Sequence, residues 1–255
     1  MVGISDITSA RQRRAGIGIH LVTASGAVAG LMALQSVIDG SSKAALMWLI
    51  VCQILDALDG PIARRLNVTI HAPMIDGHIL DLVIDYVSCV VVPIALMIKL
   101  EVLPQHTQIW IAALMIFTSA LWFARTDQET PDVWFNGFPA GWNIVVPTFI
   151  ILGTDQQIAG LIVVALALSQ LTNIAFPHIA RVRAMRKVTY AAAFLSLVAL
   201  TIASASYPNG PSWTHFVLYL GPTYLASIVV WRTWFSQHRI FGQSIISLDV
   251  DDIGR

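Results

Sequence analysis

The chain has 255 residues, of which 56% are hydrophobic and only 12% are charged, and its formal net charge is zero. Soluble domains carry about 25% charged residues, so this composition excludes an ordinary soluble protein and indicates an integral membrane protein. The lack of a basic excess also argues against a nucleic-acid partner, because proteins that bind nucleic acids concentrate Lys and Arg on one surface. The two cysteines, Cys52 and Cys89, form no Cys/His cluster and are interpreted as small buried core residues.

The predicted elements begin with an N-terminal arm, residues 1–18, in which residues 4–15 form an amphipathic segment on the membrane surface. An all-α polytopic membrane domain follows over residues 19–235, and residues 236–255 form a C-terminal cytoplasmic tail. Each transmembrane helix needs about 20 apolar residues, and the apolar runs of the domain are bounded by polar, Gly or Pro clusters. They predict eight transmembrane helices, at 19–38, 43–63, 77–100, 107–125, 138–153, 157–176, 188–206 and 214–234.

The distribution of basic residues predicts how these helices are oriented. If the N-terminus is cytoplasmic, 13 of the 15 Lys and Arg residues fall on the cytoplasmic side, and only Lys43 and Lys99 fall outside. Such an excess is typical of the cytoplasmic loops of membrane proteins. Both termini are therefore predicted to be cytoplasmic, which agrees with an even number of spans.

Several aspartates lie where the second and third predicted helices meet. Asp56 and Asp59 are three residues apart, and Asp81 and Asp85 are four apart, so each pair occupies one face of a helix. If residues 66–76 form a turn, the end of the second helix and the start of the third are neighbours. The four carboxylates are then expected to converge close to the cytoplasmic interface.

Unpaired carboxylates in a membrane are costly. Insertion of each Asp near the bilayer centre costs about 2.5 to 3.5 kcal/mol, and two like charges 4 Å apart repel by about 4 kcal/mol at an effective dielectric constant of 20. Oxygen ligands without His or Cys suit hard divalent cations, and two such ions can clamp a diphosphate. The pattern predicts a divalent-metal site; a proton or cation pathway and a helix–helix contact are the alternatives.

The residues around these carboxylates fit a phosphate ligand. Gly60 removes a side chain where a phosphate would approach the backbone, and Ala63 is similarly small. Arg64 offers a fork of donors to phosphate oxygens. Asp76, by contrast, is predicted to be the N-cap of the third helix.

Together these residues resemble the signature of the CDP-alcohol phosphotransferase family, D-x-x-D-G-x-x-A-R followed by G-x-x-x-D-x-x-x-D. All eight signature positions are present: Asp56, Asp59, Gly60, Ala63, Arg64, Gly77, Asp81 and Asp85. Twelve residues separate Arg64 from Gly77, which is a longer gap than most of the family has. That gap, and segments between residues 17 and 235 such as "FNGFPAGWN", resemble the bacterial phosphatidylcholine synthase branch.

The resemblance implies a six-helix catalytic core with additional helices, and an active site at the cytoplasmic face of a bacterial inner membrane. It implies transfer of the phosphatidyl group of CDP-diacylglycerol to choline, giving phosphatidylcholine and CMP, in an enzyme that is often a homodimer. Two ions, Mn²⁺ or Mg²⁺, would be held by Asp56, Asp59, Asp81 and Asp85.

The resemblance also implies roles for individual residues. Asp85, the last residue of the motif, would be the general base that takes the proton from the acceptor hydroxyl. Gly60, Ala63 and Arg64 would contact the phosphates of CDP-diacylglycerol, and His20 and Thr23 would face its cytidine or diphosphate end.

A choline site should offer aromatic faces or carboxylates, because a quaternary ammonium group cannot donate a hydrogen bond. The aromatic candidates are Tyr86, Trp122, Trp134, Phe135 and Trp142. Trp142 and its neighbour Asn143, just inside the fifth predicted helix, are the strongest predicted contributors outside the motif.

Two other functions stay open from the sequence. The first is a CDP-alcohol phosphotransferase that uses glycerol phosphate, inositol phosphate or serine; the scarcity of basic residues beyond Arg125 and the run after the sixth helix favours a cationic acceptor instead. The second is an ion or proton transporter that uses the aspartates. A transporter is expected to show repeat symmetry and polar residues along a path across the membrane, and the sequence shows neither.

Overall fold

The computed structural model of the protein describes residues 9–179 and 186–235. Most of the predicted N-terminal amphipathic segment is described, but its first residues and the predicted tail, 236–255, lie outside the described residues. Four of the basic residues used for the orientation also lie outside them: Arg181, Arg183, Arg239 and Arg255.

The described part of the chain contains ten α-helices and two short β-strands. In order they are α1 (Ala10–Ile38), α2 (Ser42–Arg65), α3 (Val68–His71), α4 (Gly77–Asp85), α5 (Val92–Lys99), α6 (Gln108–Phe123), β1 (Trp134–Asn136), α7 (Trp142–Leu152), α8 (Gln156–Ser169), β2 (Ala175–Pro177), α9 (Arg186–Ala205) and α10 (Ser212–Val230). Two segments of π-helix accompany them. Tyr86–Val91 joins α4 to α5, and Trp231–Phe235 extends α10.

Five of these helices are long and apolar enough to cross a membrane, so the protein is a multi-pass membrane protein. They are α1, α2, the continuous helix Gly77–Lys99, α9, and α10 with its extension to Phe235. Three more apolar helices, α6, α7 and α8, are shorter. Each of the eight predicted spans therefore contains an apolar helix, but only five reach the length of a full span.

The N-terminal half is organised by a tight turn between α1 and α2. Gly40 has φ of 75°, its N–H donates to the carbonyl of Val37 at 3.1 Å, and the N–H of Ser41 donates to the carbonyl of Ser36 at 2.9 Å. This is the hydrogen-bond pattern of a Schellman motif, in which a glycine ends a helix in the left-handed conformation. The turn sends α2 straight back along α1.

Small residues on one face of α1 let the chain after α2 pack closely against it. A Cβ atom at Gly16 would lie 2.8 Å from the Cβ of Ala72, and one at Gly26 would lie 2.9 Å from a methyl group of Ile84. Both distances are too short for real contacts, so no larger residue fits at either glycine without movement. The unusually long gap before Gly77 thus holds a short helix, α3, whose end rests on α1.

Three apolar clusters form the rest of the core. One lies between α5, α6, α7 and α8 and surrounds the fully buried Trp142. The second joins α1, α2 and α5 around Leu46 and Leu49. The third joins α2 to α9 and α10 through Ile50, Leu200 and Leu218. Large apolar side chains such as Trp110, which is 76% exposed, cover the outward faces of the helices, as expected for surfaces that meet lipid.

The fold is all-helical, as predicted, apart from one small two-stranded sheet. Strands β1 and β2 pair antiparallel, with Phe135 opposite Phe176. The predicted span 157–176 is accordingly too long, because α8 ends at Ser169 and the chain then enters β2. We call residues 125–137 together with β2 the strand cap. Its backbone groups are paired by the sheet, so helix is not required there.

Candidate active site

The carboxylates of three aspartates meet between the end of α2 and the start of α4. One oxygen atom each of Asp56, Asp81 and Asp85 lies within 4.8 Å of the other two. Asp59, which is only 7% exposed, faces the same space. We call this space the carboxylate pocket; it is lined by Thr23, Gly26, Cys52, Leu55, Asp56, Asp59, Asp81, Ile84, Asp85 and Ser88. The predicted convergence of the four carboxylates is therefore present.

Both helices reach the pocket by packing on α1. Thr23 and Gly26 of α1 lie three residues apart and both line the pocket. The close contact of Gly26 with Ile84 lets α4 approach near enough for Asp81 and Asp85 to face α2. Asp76 sets the start of α4, since its side chain accepts hydrogen bonds from the N–H groups of His78 and Ile79 at 3.0 and 3.1 Å. Its predicted role as an N-cap is confirmed.

These carboxylates have no ion-pair partner among the residues that the structure describes. Across residues 9–179 and 186–235, none of the four forms a hydrogen bond or an ion pair with another protein group. If two of them are ionised 4.8 Å apart, they repel by about 3.5 kcal/mol at an effective dielectric constant of 20. The arrangement is stable only when the negative charge is offset from outside the chain or partly removed by protonation.

The donor set fits a hard divalent cation. Three carboxylate oxygens lie close enough together for one metal ion to contact all of them. A fourth carboxylate, that of Asp59, borders the same pocket. Carboxylates are the ligands that Mg²⁺ and Mn²⁺ prefer. The pocket can therefore bind a metal ion through its own side chains.

The helix changes its winding immediately after Asp85. The π-helical segment Tyr86–Val91 begins at the next residue, and such segments are frequent at functional sites because they rotate the residues that follow. Ser88 is brought into the pocket by this turn, and it is buried there. Sequence reasoning missed the π-turn, since no residue type marks it.

Gly60 and Arg64 lie next to each other at the end of α2. A Cβ atom at Gly60 would be 3.3 Å from Nη1 of Arg64, so the guanidinium group lies over the glycine, one residue beyond Asp59. Arg64 is exposed and Ala63 is half-buried. The predicted phosphate-binding residues thus form one small surface beside the carboxylate pocket.

His20 and Thr23, predicted to share one function, occupy different positions. Thr23 lines the carboxylate pocket and donates to the carbonyl of Ile19 at 3.2 Å. His20 is buried, and its Nε2 is 3.4 Å from the carbonyl oxygen of Ala72. A Cβ atom at Gly77 would lie 3.2 Å from the His20 ring, which accounts for glycine at that signature position. His20 thus holds α3 and α4 on α1.

The residues predicted to contact choline are all engaged with other protein groups. Trp142 is fully buried and donates from its indole N–H to Ser119 at 2.9 Å. The Tyr86 hydroxyl donates to the carbonyl of Ile116 at 3.1 Å. Asn143 donates to the sulfur of Cys89 at 3.1 Å. None of these three is among the residues that line the carboxylate pocket.

The other three aromatic candidates belong to the strand cap or to its contact with α6. Trp122 is buried and donates to the carbonyl of Asn136 at 2.9 Å. Trp134 is buried beneath the guanidinium group of Arg232. Phe135 stacks on His178, with ring centroids 4.6 Å apart. These contacts give all three rings a role in packing.

The two cysteines differ in burial. Cys52 is buried, as predicted, and it lines the carboxylate pocket. Cys89 is only half-buried and accepts the hydrogen bond from Asn143, whose backbone carbonyl in turn accepts from the Gln53 side chain at 3.3 Å. This polar chain behind Asp85 connects α7 to α2. Its members are far apart in sequence, so the sequence did not reveal it.

Two aspartates of the strand cap, unlike those of the pocket, are paired with arginines, and Glu129 lies beside a histidine. Arg125 makes two hydrogen bonds of 2.8 Å to the Asp127 carboxylate. This contact raises the pKa of the Arg125 guanidinium above its usual value and lowers the pKa of Asp127 below its usual value. Asp132 accepts from Arg232 at 2.7 Å, and Glu129 lies 3.6 Å from His178.

Comparison with known proteins places these residues in a family. Residues 20–171 match the model of the CDP-alcohol phosphatidyltransferase family, and this range contains the whole carboxylate pocket. The chain is 32% identical over 221 residues to a phosphatidylcholine synthase of Pseudomonas aeruginosa, a match that covers 86% of this chain and 93% of that protein. It is 29% identical over 224 residues to a phosphatidylcholine synthase of Borreliella burgdorferi, covering 87% of this chain and 95% of the relative. A third, from Brucella melitensis, is 32% identical over 195 residues, covering 76% and 71%.

Proposed function

The chain belongs to the CDP-alcohol phosphatidyltransferase family, and from this premise we propose that it transfers the phosphatidyl group of CDP-diacylglycerol to choline. The products are phosphatidylcholine and CMP. The observation that carries the proposal is the convergence of three carboxylates within 4.8 Å, in a chain that matches three phosphatidylcholine synthases over most of its length. Relatives with that activity support choline as the acceptor among the alcohols that the family uses.

In the reaction, the choline hydroxyl oxygen attacks the phosphorus atom that carries the diacylglycerol. A new P–O bond to choline forms, the P–O bond to CMP breaks, and the CMP phosphate takes the electron pair. We assign the hydroxyl proton to the Asp85 carboxylate. Asp85 is the last residue of α4 and lies about 12 Å along the helix axis from Gly77, its first residue. Of the two motif carboxylates on α4, it is therefore the one farther from the start of the helix.

The phosphates of CDP-diacylglycerol are assigned to the surface formed by Gly60, Ala63 and Arg64. The Arg64 guanidinium lies over Gly60 without a carboxylate partner in the described chain, so its donors can turn to phosphate oxygens. Thr23 faces the same pocket from α1 and is assigned to the nucleotide end of the substrate. We propose that His20 positions α1 against α4. It would thereby shape the part of the site that receives the nucleotide end of the substrate.

The ammonium group of choline is assigned to the aromatic residues next to Asp85, because a quaternary ammonium group is attracted to aromatic faces. Tyr86 follows Asp85 directly, and its ring packs edge-on to Phe123 with centroids 5.7 Å apart. Trp142 and Asn143 act from behind the pocket, through Ser119 and Cys89. Direct contact of Tyr86, Trp142 or Asn143 with choline stays a prediction.

The family is divalent-metal dependent, and the acidic cluster can bind a metal; we assign two ions, Mn²⁺ or Mg²⁺, to Asp56, Asp59, Asp81 and Asp85. When bound, such ions offset the charge of the carboxylates and of the diphosphate and stabilise the charge that develops on the transferring phosphoryl group. The four carboxylate side chains would hold the ions next to Arg64. All four lie on one side of the helix bundle.

The setting of the enzyme completes the proposal. We place the catalytic domain, residues 19–235, in a bacterial inner membrane with the carboxylate pocket and both termini on the cytoplasmic side. The positive-inside distribution supports this orientation. A homodimer, implied by the family, stays a prediction that light scattering of the purified protein would check.

The proposal is tested with the purified protein in detergent micelles. CDP-diacylglycerol, Mn²⁺ or Mg²⁺ and labelled choline should yield labelled phosphatidylcholine and an equal amount of CMP. EDTA should stop the reaction, and addition of Mn²⁺ in excess should restore it.

Two results would contradict the assignment. Product formed from serine, glycerol phosphate or inositol phosphate, but not from choline, would move the protein to another acceptor within the same family. Phosphatidylcholine formed from CDP-choline and diacylglycerol would reverse the assignment of donor and acceptor.

A further inference from the structure

A second cavity shares no lining residue with the carboxylate pocket. It is formed by α2, α7, α9 and α10 and has an internal volume of about 90 Å³. Helices α9 and α10 supply most of its wall, and both lie beyond residue 171, where the match to the family model ends. The cavity is therefore built mainly by the part of the chain that this family model does not cover.

The wall of this cavity is apolar and is kept open by small residues. Ala192, Ala193 and Gly221 line it together with leucine side chains of α9 and α10. A Cβ atom at Gly221 would overlap the Ser196 hydroxyl group, so a larger residue there would force the Ser196 side chain to rotate. Pro222, which also lines the cavity, has no N–H to donate to the Leu218 carbonyl in the helix. The helix therefore lacks one backbone hydrogen bond beside the cavity.

The polar end of the cavity is next to the carboxylate pocket. Gln53 lines the cavity, and Asp56 lies three residues later on the same helix, about 4.5 Å farther along its axis. The side-chain oxygen of Gln53, Oε1, is buried without a hydrogen-bond partner. The side-chain nitrogen, Nε2, donates to the backbone carbonyl of Asn143. Since Gln53 and Asp56 are about one helical turn apart on α2, a lipid whose phosphate binds at the carboxylates has the cavity within reach of its apolar tail.

The lining excludes choline as the occupant. Among the described residues that line the cavity, none is charged and none is aromatic, whereas a quaternary ammonium group needs carboxylates or aromatic faces. An alkyl chain suits this wall, because each methylene group that leaves water contributes about 0.8 kcal/mol.

From these observations we propose that the α9–α10 cavity binds one acyl chain of the lipid substrate, so that this helix pair selects for long-chain CDP-diacylglycerol. The inference rests on the proposed function, since it takes CDP-diacylglycerol as the substrate. It adds a specificity site that the carboxylate pocket does not contain.

The test fills the cavity and varies the chain length of the substrate. Ala193→Phe should raise the KM for dioleoyl CDP-diacylglycerol by about tenfold, which corresponds to the loss of two buried methylene groups. The KM for the dioctanoyl substrate and the KM for choline should stay unchanged, since an eight-carbon chain ends before the filled region. Ala191→Phe is the matched control, because Ala191 is exposed on the same helix and does not line the cavity.

Three results would overturn the inference. The first is that Ala193→Phe slows both substrates by the same factor, and the second is that Ala191→Phe has the same effect as Ala193→Phe. The third is that, in nanodiscs of short-chain or long-chain phospholipid, the effect follows the bilayer lipid, which would make a bulk lipid the occupant. Absence of phosphatidylcholine with the wild-type protein at either chain length would contradict the proposed function and not the cavity assignment alone.

A binding measurement keeps the inference testable if the filled variant does not fold. CDP-diacylglycerol with a photoreactive diazirine near the end of one acyl chain is added to the wild-type protein without choline, so turnover is not needed. Crosslinks are expected at Leu197 and Leu225, which line the cavity. Crosslinks confined to outward-facing residues such as Phe194, which is 67% exposed, would overturn it.

Discussion

The carboxylate pocket and the strand cap use the same residue type in opposite ways. Asp127 and Asp132 in the cap are each held by an arginine at 2.8 and 2.7 Å. The four aspartates of the pocket have no ion-pair partner within residues 9–179 and 186–235, although three of them meet within 4.8 Å. The cap acids therefore stabilise the fold, whereas the pocket acids contribute no ion pair to it within the described residues.

This difference teaches how to separate stability from activity in this protein. Removal of a compensated charge breaks an interaction and should lower the free energy of unfolding. Removal of an uncompensated charge relieves repulsion and should leave that free energy unchanged or raised while activity is lost. Variants in the strand cap should therefore lower stability more than activity, whereas variants in the carboxylate pocket should lower activity more than stability.

The largest effect is expected for Asp85→Asn. Loss of the general base should lower kcat by at least about a hundredfold, while the melting temperature measured in EDTA should equal or exceed that of the wild type, because one of three converging negative charges is gone. Turnover of labelled choline and thermal unfolding in detergent would be measured on the same preparation. Retention of full activity would remove Asp85 as the base, and a strong loss of stability would place it among the structural residues.

Divalent metal should stabilise the wild-type protein and not its pocket variants. At a metal concentration of 100 times the Kd, binding adds about 2.7 kcal/mol to the free energy of unfolding, which corresponds to a rise in melting temperature of about 5 °C or more. Asp56→Asn and Asp81→Asn should each lose most of this rise.

Asp132→Asn serves as the control for the metal experiment, because its carboxylate lies in the strand cap and pairs with Arg232. This variant should keep the full metal-dependent rise. An equal rise in the pocket variants and in the wild type would show that the metal binds elsewhere.

Asp132→Asn should lower stability and leave activity nearly unchanged, which is the opposite of the result expected for Asp85→Asn. Its partner Arg232 has a side chain only 10% exposed and also lies over Trp134, so loss of the carboxylate leaves a nearly buried guanidinium group less well compensated. We expect a loss of about 1 kcal/mol in the free energy of unfolding, since Asp132 itself is partly exposed, with little change in kcat. A large fall in kcat without a fall in stability would mean that the cap takes part in the reaction.

The smallest effect is expected at the exposed pair of Arg125 and Asp127. Arg125 lowers the pKa of Asp127, so the contribution of this pair to stability is fully present above the ordinary pKa of 3.8 and is lost as the pH falls through the lowered value. The small difference in melting temperature between the wild type and Asp127→Asn should be constant near neutral pH and should vanish in acid. Arg125→Gln should cost more, because Arg125 also donates to the carbonyls of Gln170 and Thr172. A difference that grows in acid would contradict the assigned direction.

Much of the site could be predicted from the sequence because its residues fall on two helices at regular spacing. Three and four residues separate the members of each aspartate pair, and helical geometry alone places each pair on one face. Asp76 was likewise predictable as an N-cap from its position before an apolar run. The aromatic residues were harder to assign. A tryptophan looks the same in the sequence whether it binds choline or packs in the core, and in the structure Trp142 and Trp122 donate hydrogen bonds to Ser119 and Asn136.

The β-strands and the lengths of α6, α7 and α8 could not be predicted in the same way. Ala175–Pro177 continues an apolar run, and only the pairing with Trp134–Asn136 makes it a strand. A hydropathy pattern counts apolar residues and does not show whether their backbone groups bond within one helix or to a partner distant in sequence. The predicted span 157–176 was too long for that reason.

By itself, the sequence determined that this is a multi-pass membrane protein with an acidic motif of the CDP-alcohol type, because composition and helical spacing are local properties. The tertiary structure decided which charges stay without a partner, which aromatic rings are buried, and that α9 and α10 form a cavity one helical turn from Asp56. Each of these depends on contacts between residues far apart in the chain, such as Gly26 with Ile84 and Gln53 with Asn143. Only the packing of the helices brings such residues together.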